Sequence, residues 1–121
     1  MTAYTLIAGA TAVGAAGTPS RQPYQVAQPG GGAGTQFQNP VNQSIQVVVT
    51  GSGNVSATVH WQVSNDGVNW FDYPTVGTIT VASGASPQQN NAAGNTPYQY
   101  FSAYVSAISG TNASVTATMS A

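Results

Sequence analysis

The residues of this chain best suited to acid–base chemistry lie together in the stretch HWQVSNDGVNWFDY, from His60 to Tyr73. It holds the single histidine and both carboxylates, Asp66 and Asp72. Two carboxylates can serve a glycosidase as acid and base, and a histidine beside a carboxylate can activate a serine. Asp66, however, stands in Asn-Asp-Gly, which is typical of a turn with a positive φ at Gly67. We therefore interpret the stretch as a β-hairpin with a solvent-exposed His60–Asp72 pair, and we predict no catalytic residue.

The composition argues against several other kinds of site. The chain of 121 residues has no cysteine, one histidine and two carboxylates, so we predict neither a metal nor a cofactor. The glycine run from Gly30 to Gly34 has no following helix or lysine, and we interpret it as a linker, not a phosphate-binding loop. Arg21 is the only basic side chain, so we expect no binding to nucleic acid or to membranes. The N-terminus lacks a positively charged start, which argues against a secretory signal.

The scarcity of charge is the most unusual property of the composition. Charged residues make up 2% of the sequence, against about 25% in an ordinary soluble domain. The hydrophobic fraction of 41% still predicts an ordered domain, with a surface built from Ser, Thr, Asn, Gln and Gly. Edge strands of a sheet are normally protected by lysine, other charges or proline. Because this chain has almost none of those charges, we expect its edges to be covered by neighbouring subunits of an assembly.

Hydrophobic periodicity predicts an all-β fold. Apolar and polar residues alternate from position 45 onward, and no segment has helical periodicity for more than a few residues. The predicted strands are Ile45–Thr50, Val55–Val63, Val76–Ser83, Tyr98–Ala107 and Ala113–Ser120, with Gly51-Ser-Gly53, Ser109-Gly110 and the loop Ser83–Pro97 between them. Half-buried strands favour antiparallel sheets stacked as a β-sandwich, which we assign to residues 40–121. Residues 1–39 hold too few large apolar side chains for a core and are predicted to form an extended N-terminal arm or edge strands.

The register of the hairpin decides where Trp70 points. A two-residue turn would pair Trp61 with Asp72 and place a carboxylate on the apolar face. A three-residue turn would pair Trp61 with Phe71 instead, and would set His60 opposite Asp72 on the outer face. We favour the three-residue turn. It directs Trp70 outward, where we predict that a neighbouring subunit or the N-terminal arm covers it.

The hairpin and its surroundings resemble virion proteins of tailed bacteriophages. The resemblance lies in TLIAGATAVGAAG near the N-terminus, SNDGVNWFDY in the hairpin, the aromatic PYQYFSAYVSAISG and the final ASVTATMS. Its most specific part is the Ser-x-Asp-Gly-x-x-Trp core formed by Ser64, Asp66, Gly67 and Trp70. The resemblance implies a capsid decoration (cement) protein or similar virion accessory, built as an immunoglobulin-like or jelly-roll sandwich. It also implies the major capsid protein and other copies of the chain as partners on the outer capsid surface, after synthesis in the host cytoplasm.

The contacts of such an assembly need apolar side chains outside the predicted core. Strand addition by the arm would also cover an exposed sheet edge, and we expect a chain without residues 1–34 to fold but to bind particles poorly. Two alternatives stay open: a fibre or tail-tip module, and a carbohydrate-binding β-sandwich module with a planar group of aromatic rings. The candidate assembly residues are Tyr4, Leu6, Ile7, Tyr24, Phe37 and Trp70.

Overall fold

In a computed structural model of the chain, residues 3–13, 42–96 and 98–120 are described, together with the backbone of residues 24–25. The strands are β1 (Ala3–Ala10), β2 (Tyr24–Gln25), β3 (Gln43–Ser64), β4 (Phe71–Asp72), β5 (Thr78–Ala85), β6 (Gln88–Gly94) and β7 (Tyr100–Ser120). Their pairings are all antiparallel and join them into one open sheet. No helix occurs within the described ranges. The predicted all-β, antiparallel fold is therefore confirmed.

Two long strands, β3 and β7, form the middle of the sheet. β3 has 22 residues and β7 has 21, and they pair from Ser64 with Tyr100 to Ser44 with Ser120. The sequence predicts each of them as two shorter strands separated by glycine, and this prediction is wrong. The register only shifts around Gly51 and Gly53 before pairing resumes, because an irregularity there bends a strand without ending it.

The other side of β3 is lined by β4, β5 and β6, one after another along the chain. β5 pairs with positions 54–60 of β3, and β6 pairs with positions 43–49. The predicted loop Ser83–Pro97 is therefore wrong, since it contains β6. The sequence of β6, QQNNAAG, has neither β-branched nor aromatic residues, so it lacks the propensity by which strands are recognised.

The two ends of β3 lie near each other because the strand folds back on itself. A straight strand of this length would extend roughly 70 Å at about 3.3 Å per residue. Gly94 of β6 pairs with Gln43 at one end of β3, while Tyr100 of β7 pairs with Ser64 at the other end. The Cα–Cα steps from Gly94 to Tyr100 are about 3.8 Å each and span at most roughly 23 Å. The bend in β3 must therefore bring its ends within a similar distance.

Side-chain hydrogen bonds join the two halves of the bent strand. We call residues 43–50 the first arm of β3 and residues 54–64 its second arm. Tyr73, whose backbone N–H bonds to Trp61 of the second arm, donates from its hydroxyl to Gln43 Oε1 of the first arm at 2.7 Å. The same hydroxyl accepts a hydrogen bond of 2.8 Å from the backbone N–H of Thr96.

The core lies where the apolar side chains of both arms meet. Trp61 stacks on Tyr73, with ring centroids 4.5 Å apart, and packs near Phe101 at 6.2 Å. The apolar faces predicted from the alternation are confirmed. The buried residues on them are Ile45, Val47, Val49, Val55, Ala57, Val59, Trp61, Val63, Val115, Ala117 and Met119.

The N-terminal strand β1 is part of the same sheet. It pairs with β7, from Ala3 with Ser120 to Ala10 with Val115. A register shift between Thr5 and Ile7 leaves one extra residue in β1. Because of this bulge, two consecutive side chains, Leu6 and Ile7, are both fully buried in the core.

Glycine is required at the bend because the backbones approach closely there. Gly110 of β7 has a φ of +126°, and a Cβ on it would lie 2.8 Å from Val55 Cγ1 and 2.9 Å from the carbonyl oxygen of Asn54. Gly53 has a φ of +72° but no atom within 4 Å of such a Cβ. Gly110 therefore serves both conformation and packing, whereas Gly53 serves conformation alone.

Candidate functional site

The hairpin between β3 and β4 has neither of the registers considered from the sequence. Gln62 pairs with Asp72 and Val63 pairs with Phe71. The partner of Trp61 is consequently Tyr73, and both the two-residue and the three-residue turn are wrong. The connection, residues 65–70, is longer than either predicted turn because it is organised by the Asp66 side chain.

Asp66 forms the centre of the loop. Its Oδ1 accepts hydrogen bonds from the backbone N–H groups of Val68 and Asn69, both at 2.8 Å, and from the Ser64 hydroxyl at 2.9 Å. Its Oδ2 accepts one from the Asn69 side chain at 2.8 Å. Ser64 Oγ in turn accepts from the backbone N–H of Gly67 at 2.9 Å. A short side chain that bonds the backbone ahead of it is the usual way in which Asp fixes a turn.

The same contacts set the ionisation of Asp66. Hydrogen bonds from the backbone of Asn69 and Val68, then from the Asn69 and Ser64 side chains, hold the pKa of this carboxyl far below its ordinary range. The carboxylate is therefore ionised over the whole range in which proteins normally work. An ionised carboxylate cannot act as a general acid, and its lone pairs are occupied by the loop.

His60 and Asp72 form the predicted exposed pair. His60 Nδ1 lies 2.9 Å from Asp72 Oδ2, and Gln62 donates to Asp72 Oδ1 at 3.0 Å. The His60–Asp72 contact is confirmed, although it is diagonal because Gln62 is the residue directly opposite Asp72. The His60 ring also stacks on Tyr104, with centroids 5.0 Å apart and planes 9° from parallel.

The pKa of Asp72 reflects opposing effects. Partial burial by itself would raise the pKa, but hydrogen bonds from Gln62 and His60 and the attraction of a protonated His60 outweigh it, so the pKa lies below its ordinary value. The side chains of His60 and Asp72 are 22% and 43% exposed. An ion pair this accessible to solvent contributes little to stability, typically about 0–1 kcal/mol.

Both carboxylates are engaged by groups within the described part of the chain. Asp66 is bonded within its own loop, and Asp72 is bonded to His60 and Gln62. Among the side-chain hydrogen bonds of the described residues, none joins a serine to His60. Within the same part of the chain, no three His, Cys, Asp or Glu side chains are grouped to hold a metal ion.

Buried polar groups lie beside this pair on the outer face of the second arm. Gln62 is directly opposite Ser102 of β7, and both are buried. Neither Gln62 Oε1 nor Ser102 Oγ has a hydrogen-bond partner among the residues that the structure describes. Such a group costs roughly 1–3 kcal/mol when nothing satisfies it.

Aromatic rings connect the loop to the core. Tyr73 stacks on Trp61 and meets Tyr98 edge-on at 5.3 Å, and Tyr98 meets Phe71 edge-on at 5.6 Å. Phe71 is 44% exposed and Val68 is 76% exposed. The rings thus support an apolar surface at the end of the hairpin.

We call Val68, Phe71 and Tyr98 the apolar tip. Sequence reasoning did not select these residues, because the exposure of Val68 and Phe71 follows from the longer loop. The sequence does show an apolar residue, Val68, directly after Asp66-Gly67. A residue in a turn of this kind has no strand partner to cover it, so this position predicts an exposed apolar side chain.

Of the candidate assembly residues, the structure describes the side chains of Tyr4, Leu6, Ile7 and Trp70. Leu6 and Ile7 have no exposed surface, and Tyr4 is half-buried in β1. Trp70 is half-buried beside the apolar tip. The backbone of Tyr24 pairs with Phe101 at the side of β7, and Phe37 lies outside the described residues.

Comparisons of the chain with protein-family models, with curated proteins and with solved structures found no match. None of the described residues belongs to a helix that is long and apolar enough to cross a membrane.

Proposed function

We propose that this chain is a non-enzymatic structural protein of a phage virion, a capsid decoration protein that binds the outer surface of the shell and stabilises it. The observation that supports this most is how little charge the protein presents. Its net charge is −1 and charged residues make up 2% of the chain. Both carboxylates are engaged in hydrogen bonds within the molecule. A free protein needs charge to stay dispersed, whereas a subunit fixed in an assembly does not.

In this proposal the bent sheet acts as a β-sandwich, either immunoglobulin-like or jelly-roll. The bond from Tyr73 to Gln43 joins the two arms of β3, and both arms direct their apolar side chains into the same core. Such a domain gives a rigid body whose loops can be presented to a partner.

The proposed partners are the major capsid protein and other copies of the chain, on the outer surface of particles assembled in the host cytoplasm. Nucleic acid and membranes are not proposed as partners, since Arg21 is the only basic residue. Contact with the capsid is then insensitive to salt, because no charge pair is needed to form it.

The sequence led us to expect that neighbouring subunits cover the edges of the sheet, but these edges carry protection of their own. The outward carbonyl of Thr80 in β5 accepts a hydrogen bond from the Asn90 side chain at 2.9 Å, and that of Ala85 accepts one from Gln88 at 2.8 Å. β1 is irregular at two positions, and bulges also discourage strand addition. Neutral amides and bulges thus protect edges that lack charge, so we place the assembly contacts at loops and faces.

The two alternatives receive less support. A carbohydrate-binding module stacks sugars on coplanar rings, but the planes of Phe71 and Tyr98 are 81° apart. A fibre or tail-tip module would share the fold and the uncharged surface. The number of copies on each particle separates a tail-tip module from a decoration protein.

The test is to compare virions made with and without the gene for this chain. Image reconstruction should show many copies on the outer shell when the gene is present, and particles lacking the chain should release their genome at a lower temperature. Particles of unchanged heat stability, or a chain found only at the tail, would exclude the capsid role. Adding the purified chain back to the deficient particles is the control, and it should restore their heat stability.

A further inference from the structure

The dipeptide Asp66-Gly67 is chemically labile, because an aspartate before glycine can isomerise. The backbone nitrogen of Gly67 attacks Cγ of the protonated Asp66 carboxyl group, an N–C bond forms, and the carboxyl hydroxyl leaves with the amide proton as water. Glycine has no side chain to hinder this attack. Water then reopens the cyclic imide. Opening at Cγ restores aspartate, whereas opening at the backbone carbonyl carbon of Asp66 gives isoaspartate.

The nitrogen that would attack is engaged by Ser64. The Gly67 N–H donates to Ser64 Oγ at 2.9 Å, and the backbone N–H of Asp66 donates to the same oxygen at 3.2 Å. Ser64 is fully buried at the end of β3, which fixes the position of its hydroxyl group. The peptide groups on both sides of the Asp66 Cα are therefore held by one oxygen atom, and Gly67 must give up its hydrogen bond before its nitrogen can attack.

The oxygen that would leave is held in its ionised form. Asp66 Oδ1 accepts hydrogen bonds from the backbone of Val68 and Asn69 and from the Ser64 hydroxyl, and Oδ2 accepts one from the Asn69 side chain. These donors keep the pKa of the carboxyl group far below its ordinary range. A carboxylate has no hydroxyl group to lose as water, so the first step of isomerisation is suppressed.

The cyclic imide is incompatible with most of the loop's hydrogen bonds. It has neither a carboxylate nor a Gly67 N–H, and five of the six side-chain hydrogen bonds within residues 64–69 use one of these two groups. A hydrogen bond to a charged group typically changes an equilibrium by about tenfold or more. The folded loop therefore disfavours the imide and the path that leads to it.

We infer that the hydrogen-bond network of residues 64–69 protects Asp66-Gly67 from isomerisation, and that the side chains of Ser64 and Asn69 maintain this protection. Isoaspartate carries the chain through its side chain, which adds one carbon atom to the backbone. Such a change would displace residues 68–70 relative to β4 and disrupt the hairpin. The inference is independent of the proposed function, although protein in a particle that is not renewed has the greatest need of such protection.

Site-specific measurement of isoaspartate tests the inference on the full chain. The folded protein and the same chain unfolded in guanidinium chloride are aged together at about pH 5, where an ordinary aspartate is still partly protonated. Cleavage after aromatic residues releases the fragment 62–70, in which Asp66 is the only aspartate. Isomerisation changes the chromatographic retention of this fragment and leaves its mass unchanged, whereas deamidation of Asn65 or Asn69 raises the mass.

The folded wild-type chain should isomerise about tenfold or more slowly than the unfolded chain. In the folded state, Ser64→Ala and Asn69→Ala should each speed isomerisation by about twofold to tenfold, since each removes hydrogen bonds from the network. In the unfolded state all variants should react at the same rate. Asn65→Ala is the matched control, because this exposed neighbour takes no part in the six hydrogen bonds and its loss should change nothing.

Three results would overturn the inference. They are a folded wild-type chain that isomerises as fast as the unfolded one, an Asn69→Ala variant that stays as slow as the wild type, and an Asn65→Ala variant that reacts as fast as Asn69→Ala. Asn69 is exposed, so this variant decides the matter even if Ser64→Ala fails to fold. None of these results depends on particles, so a failure of the proposed function is distinguishable from a failure of the inference.

Discussion

At the scale of single residues, Asp66 determines the shape of the hairpin. The sequence predicts Asp and Gly67 as turn formers, and Gly67 does have a positive φ of +74°. The sequence does not reveal the register of the hairpin, because Asp-Gly is compatible with turns of several lengths. The hydrogen bonds that the backbone N–H groups of Val68 and Asn69 donate to Asp66 favour the longest of these turns. Six hydrogen bonds that involve the Ser64, Asp66 or Asn69 side chain form within residues 64–69, and they compete with the backbone pair that a shorter turn would have formed.

We expect Asp66→Ala to release this loop and Asp66→Asn to release it only in part, since the amide oxygen of Asn can still accept from Val68 and Asn69. Because the pKa of Asp66 is lower in the folded state than in the unfolded state, its contribution to stability is complete above the unfolded value of about 3.9 and declines as the pH falls toward the folded pKa. Amide hydrogen exchange of Val68 and Asn69 measures this. Protection in the wild-type chain should persist at about pH 3 and be lost in Asp66→Ala. Equal protection in all three proteins would show that the carboxylate does not hold the loop.

At the scale of elements, glycine bends the long strands instead of ending them. The contrast between Gly110 and Gly53 allows a controlled test, since both have a positive φ and only Gly110 has neighbours in contact. We expect Gly53→Ala to destabilise by about 1 kcal/mol through its backbone conformation. Gly110→Ala should destabilise more, by about 2–4 kcal/mol, because its Cβ also collides with Val55. Urea unfolding measures both, and equal losses would mean that the close approach is unimportant.

Protection of the β5 edge by Asn90 gives a second prediction at this scale. Asn90→Ala leaves the Thr80 carbonyl without its donor, and an outward carbonyl can pair with another strand. We expect this variant to aggregate faster on mild heating, with little change in unfolding free energy, since an exposed hydrogen bond is worth only about 0.5–1.5 kcal/mol. Light scattering measures the rate. Asn91→Ala, the next residue of β6, is the control and should behave as the wild type.

The faces of the strands were easier to predict from the sequence than their ends. Alternation identified the buried side of β3, from Ile45 to Val63, because the odd-numbered positions of this strand are buried on both sides of its bend. It did not identify β6, whose polar residues follow from its edge position. Nor did it show that Gly51 and Gly110 lie inside strands, because a glycine that bends a strand and one that ends it look alike in sequence. The His60–Asp72 pair was predictable as two polar residues on one face, whereas the apolar tip required the register.

At the scale of the whole molecule, one strand that contributes to the core, β1, comes from residues 1–39, which the sequence analysis separates from the main domain. β1 covers one side of β7 and contributes Leu6 and Ile7 to the interior. Residues 3–10 are therefore part of the same folded domain as the rest of the sheet. Removing them would leave the hydrogen-bonding edge of β7 unpaired and would take Leu6 and Ile7 out of the core, so, contrary to the expectation from the sequence, we expect the deletion of residues 1–34 to destabilise the fold.

Leu6→Ala tests this role without removing the strand. Leu6 is fully buried, and truncating a buried leucine to alanine typically costs about 2–5 kcal/mol. An ordinary domain has a total stability of only about 5–15 kcal/mol, so the midpoint of urea unfolding should fall markedly. Thr5→Ala, at the exposed neighbouring position of β1, is the matched control and should change the unfolding free energy by less than about 0.5 kcal/mol. If Leu6→Ala were as stable as Thr5→Ala, β1 would not be part of the core in solution, and the segment would be free to contact other subunits as an arm.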